Sequence, residues 1–161
     1  MKRKDFNNTL CKVFVLSSLS LPALAVSCDK SEDIIETPPN IDSELSEHGI
    51  KKSGNTLLIY MDHPSFQDLK SPGGYVNNLD NGVLILRKDQ ETVIALNNCC
   101  PHQGTRNRWR LVGDKFLCNN HGNSFGISDG NIAECNSNRT SGNLKQYPAS
   151  FEDSIITVDL S

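Results

Sequence analysis

The sequence predicts an all-β domain, and three observations carry that prediction. Short runs rich in β-branched and aromatic residues recur from residue 50 onward, and turn residues separate them. No window of 12 or more residues between 50 and 161 keeps a helical period.

The elements follow in order. Thr56-Leu57-Leu58-Ile59-Tyr60 is the first strand-forming run. Asn81-Gly82 then turns the chain into Val83-Leu84-Ile85-Leu86, and Lys88-Asp89-Gln90 turns it back into Thr92-Val93-Ile94-Ala95-Leu96. Lys115-Phe116-Leu117 leads straight into Cys118, and Ser154 to Leu160 alternates as a closing strand. At most one short helix is expected, near Asn107–Trp109, and no internal repeat is present.

The 161 residues make one domain, 49–161, with extensions. A core of that size suits a small β domain rather than a large catalytic cavity. The net charge of −3 offers no basic stripe for nucleic acid. That charge is uneven: residues 1–12 are basic, 29–48 acidic and 102–115 basic again.

Residues 1–28 read as an export signal. A basic start is followed by the apolar run Val13 to Ser27, which is short for a membrane span and contains Pro22. Leu24-Ala25-Val26-Ser27-Cys28 resembles a bacterial lipobox, which makes Cys28 the expected lipidation site. Lys2-Arg3-Lys4-Asp5-Phe6 resembles a twin-arginine signal, with Lys4 in place of the second Arg. The expected location is a membrane-anchored lipoprotein facing the periplasm or the cell surface. Residues 29–48 hold seven acids against Lys30, together with Thr37-Pro38-Pro39, and read as a disordered, self-repelling tether.

Two short motifs carry the chemistry. Cys100-Pro101-His102 is followed by Gly104, and Cys118-Asn119-Asn120-His121 by Gly122, with 15 residues between His102 and Cys118. A two-Cys, two-His zinc finger usually pairs Cys with Cys and His with His. Here each loop supplies one thiolate and one imidazole. That order suits two irons, one held by both thiolates and the other by both imidazoles.

On these residues the chain resembles the Rieske family, with C-x-H, a spacer, then C-x-x-H. The resemblance spans roughly 55–160 and takes in Val93–Asn97, His121-Gly122-Asn123-Ser124-Phe125, Gly130, Leu144, Tyr147 and Ile155–Val158. It implies an antiparallel sandwich or barrel with a small cluster-binding subdomain of two loops. It also implies one [2Fe–2S] cluster per subunit on Cys100, His102, Cys118 and His121. The implied function is one-electron transfer to a redox protein partner, with no substrate turned over by the chain alone. The alternatives are a Rieske subunit of a quinol-oxidising or oxygenase complex, and a structural zinc module.

The sequence departs from the quinol-oxidising type. That type bridges its two loops with a disulfide, and the matching positions here are Thr105 and Asn120. Its Ser and Tyr, two and four residues after the second His, are Asn123 and Phe125. Fewer donors to the cluster imply a potential in the lower part of the Rieske range of about −150 to +300 mV. The Pro-rich cover loop is replaced by Cys135-Asn136-Ser137-Asn138. With Cys11 and Cys28 in the signal region and Cys100 and Cys118 on iron, Cys99 and Cys135 remain. A disulfide between them would stand in for the missing bridge; two buried free thiols are the alternative. His48 and His63 lack partners at ligand spacing and are expected in surface or turn roles. Arg106, Arg108, Trp109 and Arg110 read as a solvated face whose Trp packs on the core, with docking of an acidic redox partner as the alternative.

Overall fold

The computed structural model describes residues 43–161. The signal 1–28, with Cys11 and Cys28, and residues 29–42 lie outside the described residues. In chain order come helix α1 (Ser43–His48), β1 (Ile50–Ser53), β2 (Thr56–Tyr60), a 3-10 helix (Pro64–Lys70), β3 (Tyr75–Asn78), β4 (Val83–Arg87) and β5 (Val93–Asn97). They are followed by β6 (Trp109–Val112), β7 (Lys115–Cys118), β8 (Asn123–Gly126), β9 (Gln146–Tyr147), β10 (Ala149–Glu152) and β11 (Ile155–Asp159).

The strands build three antiparallel sheets, with orders β1-β2-β11-β10, β3-β4-β5-β9 and β6-β7-β8. The middle sheet explains the least patterned stretch of the sequence. Val83 and Ile85 of β4 pack into one core with Leu57, Ile59, Ile156 and Val158 of the first sheet. Leu84 and Leu86 pack into a second core with Trp109, Phe116 and Phe125 of the third sheet. A strand covered on both faces has no solvent side for polar residues, so β4 reads as an unbroken apolar run. The edge strand β10 keeps the alternation of a half-covered strand.

Two expectations are corrected here. Asn107–Trp109 forms no helix: Trp109 opens β6 and pairs with Cys118, which leaves its ring in the second core. The helix outside α1 is the 3-10 turn Pro64–Lys70 instead, where the His63 ring accepts from the Ser65 amide, Pro64 starts the turn, and Phe66 and Leu69 are buried. The acidic stretch is also not tether to its end. Ser43–His48 is helical, Leu45 is buried, and the Gly49 amide bonds to the Leu45 carbonyl at 2.9 Å. The second ring nitrogen of His63 lies 3.1 Å from the Glu47 carbonyl, which ties α1 to the 3-10 turn and gives His63 its structural role.

Candidate metal centre

Each motif residue sits where the third sheet meets the end of the middle one. The first loop leaves β5 through Asn97 and Asn98 and reaches Cys100 within three residues. The second loop is the turn between β7, which ends on Cys118, and β8, which starts at Asn123.

The two loops are built alike. Gly104 donates to the Cys100 carbonyl at 2.8 Å, and Gly122 to the Cys118 carbonyl at 2.9 Å. Each Cys therefore opens a five-residue turn closed by a glycine, with φ of 70° at Gly104 and 76° at Gly122. Those are left-handed values that a Cβ would strain. Between Cys and Gly, each turn carries one histidine.

This construction brings like donors together. Cys100 and Cys118 are both buried free thiols, and they touch each other. Burial pushes the Cys118 thiol up from its ordinary pKa, and the Cys100 side chain adds to the rise. The backbone amides of Asn120 and His121 bond to the Cys118 sulfur and oppose it. Such amides favour a thiolate once a metal has displaced the proton. His102 and His121 meet edge to face with Nδ1 atoms 3.2 Å apart, His102 half-buried and His121 exposed.

The donor set fits a cluster with two kinds of iron site. Nitrogens 3.2 Å apart can both bond one metal at about 2.0–2.1 Å, subtending roughly 100°, close to tetrahedral. The thiol pair forms the other half. Among the described residues no three His, Cys, Asp or Glu side chains converge as the ligands of a single ion. The donors come as a thiol pair and an imidazole pair.

Four bonds hold the loops. Where the quinol-oxidising type has its bridge, Asn120 Nδ2 donates to Thr105 Oγ1 at 3.2 Å. Cys99 and Cys135 form a disulfide with Cα atoms 5.3 Å apart. Beyond it, the Asn136 and Ser137 amides bond to the Cys100 and Pro101 carbonyls at 3.3 and 2.8 Å. The 134–139 segment is thus pinned to the first loop by one covalent and two hydrogen bonds.

One organising residue escaped the sequence reading. Asn98 is fully buried, and all of its polar groups have partners. Its amide donates to Gly82, its Nδ2 to Asn77 Oδ1 at 2.9 Å, and its Oδ1 accepts from Arg106 Nη1 at 2.6 Å. Its carbonyl accepts from Trp109 Nε1, also at 2.6 Å. Asn77 closes the network by donating to the Arg106 carbonyl at 2.7 Å. This network fixes both ends of the first loop to the middle sheet. The available signal was a polar pair, Asn97-Asn98, directly after an apolar strand. Beneath both loops, Trp109 packs edge-on against Phe116 and Phe125, and Tyr75 against Phe116. Arg108 and Arg110 are exposed on either side of the buried Trp109.

Residues 51–148 match the family model described as the Rieske [2Fe–2S] domain, which covers more than half of the chain. No curated protein matches the chain.

Proposed function

As a member of the Rieske [2Fe–2S] domain family the chain binds a [2Fe–2S] cluster and transfers electrons with it, and we propose that it does so as an exported one-electron carrier tethered to a membrane. Cys100 and Cys118 hold one iron, and His102 and His121 the other. The observation that carries this assignment is the pairing of donors: two buried thiols in contact, and two Nδ1 atoms 3.2 Å apart.

When bound, the cluster supplies a one-electron couple. The protein supplies the rest. The thiolates lie in the second core, away from water, with the Asn120 and His121 amides on the Cys118 sulfur. The exposed His121 and half-buried His102 form the edge through which a partner is reached. Nε2 of each ring has no hydrogen-bond partner among the described residues. Two shallow surface depressions lie away from this edge on β10 and β11, around Ser150 and Thr157.

Export and tethering rest on the sequence of residues 1–42, in which Cys28 receives the lipid and the acidic stretch gives the domain reach. Labelling of cells with radioactive palmitate, followed by fractionation, tests this part. Wild type is expected labelled in the membrane fraction, and Cys28→Ala unlabelled and released. An unlabelled wild-type protein contradicts the tether and leaves the cluster assignment standing.

A further inference from the structure

The charge of this molecule is distributed against its sum. Residues 99–126, which hold both ligand loops and the third sheet, carry Arg106, Arg108, Arg110 and Lys115 against one acid, Asp114. The other described residues, 43–98 and 127–161, carry twelve Asp and Glu against seven Lys and Arg. The cluster end is therefore positive on a chain of net charge −3.

The cations of that end have different tasks. The Arg106 guanidinium is committed to Asn98. Arg108, Arg110 and Lys115 are exposed, and their side chains have no ion pair or hydrogen bond among the described residues. Their position is fixed by the strand register. Arg110 lies opposite Leu117 and Lys115 opposite Val112, so they share the solvent face of the β6–β7 hairpin, with Trp109 and Phe116 on the other side. The Arg108 carbonyl accepts from Asn119, two residues before His121, at 2.7 Å. Val112 on this face is 48% exposed, one of two large apolar side chains so exposed among the described residues. Unpaired cations around a single apolar anchor, on a hairpin face whose Arg108 end adjoins the second loop, match the polar rim and small apolar centre of a transient redox interface.

We propose that the β6–β7 face, through Arg108, Arg110 and Lys115, docks an acidic redox protein with its electron-transfer centre against His102 and His121. The proposal rests on the Rieske reading and names the partner's chemistry. One electron passes between the two centres, and no bond is made or broken. Guanidinium forks suit surface carboxylates. The molecular dipole turns the histidine edge toward an acidic partner during encounter, which net charge alone would oppose. Three cations are fewer than the four to eight that mark a lipid-binding cluster.

The test compares two forms of one haem protein: native cytochrome c, which is basic, and its succinylated, acidic derivative. Binding of each to the oxidised holoprotein is measured by titration calorimetry at low salt and at about 0.5 M, where the Debye length is roughly 4 Å. The succinylated form is expected to bind at low salt only, and the native form not at all. Arg108→Glu/Arg110→Glu is expected to weaken binding about tenfold or more. Lys52→Glu/Lys88→Glu makes the same change in net charge at exposed sites off the face and is expected to shift binding less than twofold. Equal binding of both cytochromes, equal effects of the two double variants, or capture by anionic vesicles in place of the succinylated protein would overturn the proposal. A holoprotein with an iron–sulfur spectrum but no charge preference refutes the docking face alone. A chain that takes up no iron refutes the reading beneath it as well.

Discussion

Removal of the Cys99–Cys135 disulfide should cost a large part of the domain's stability, and the cost follows from the chain length it closes. The two cysteines are 36 residues apart. Loop-closure entropy for that length is about 13 cal/mol/K, or about 3.8 kcal/mol at 25 °C. For a domain of this size, each kcal/mol moves Tm by about 4 °C, so a fall of roughly 15 °C is expected. Cys99 is 3% exposed, so the clean variant is Cys99→Ala/Cys135→Ser, which buries no new hydroxyl. Unfolding is followed by circular dichroism, and cluster loss by visible absorbance, with and without a chelator. Mild reduction of wild type provides a second arm free of mutation. The 134–139 segment bonds to the Cys100 and Pro101 carbonyls, so bleaching should quicken along with the loss of Tm. A fall of less than about 3 °C in both arms, with unchanged bleaching, would refute the argument that this bond secures the first loop.

Three further outcomes follow. Asn98→Ala strips partners from Asn77 and Arg106 in a buried network, and should cost about 2–3 kcal/mol in urea unfolding and loosen the first loop; a cost below about 0.5 kcal/mol contradicts the hub role. The Asp62 carboxyl is held below its ordinary pKa by hydrogen bonds first from Lys70 and then from Ser154, with the Lys70 contact at 3.0 Å. Because the unfolded chain binds this proton more readily, the contribution is complete above the ordinary carboxylate pKa and is lost as pH falls through the lowered folded value. Both side chains of the pair are about two-fifths exposed, so screening limits it to about 0.2–1 kcal/mol; wild type and Asp62→Asn should converge in urea midpoint as the pH drops, and a constant gap contradicts the assignment. Protein-film voltammetry should place the potential in the lower part of the Rieske range, since Asn123 and Phe125 stand where the quinol-oxidising type has hydroxyl donors; a value above about +200 mV contradicts that.

The two candidate loops were legible because each sets its Cys, His and Gly by local spacing. Cys, His and Gly fall within five residues of one another in each loop, and the two turns built from them are nearly the same. Strands β2, β4, β5, β7 and β11 were legible from composition, with ends within a residue or two. Strand β6, Trp109–Val112, was not, because the basic stretch Arg106-Asn107-Arg108 that leads into it has no strand pattern, and its four residues are held extended by pairing with β7. Helix α1 was hidden by its acidic surroundings, since one buried Leu45 on β1 and β2 gives no period to read. The Asn98 network was out of reach for a different reason. Its partners, Asn77, Arg106 and Trp109, come from three segments that only the folded sheets bring together.

The proposed centre is a [2Fe–2S] cluster ligated half by sulfur and half by nitrogen, on Cys100, Cys118, His102 and His121. Electron paramagnetic resonance of the purified, dithionite-reduced protein tests it most directly. A red-brown protein with two irons per chain and a rhombic signal is expected, with the signal lost on replacement of any one of the four ligands. A colourless protein that carries zinc, or a rhombic signal that survives loss of His102 or His121, would contradict it.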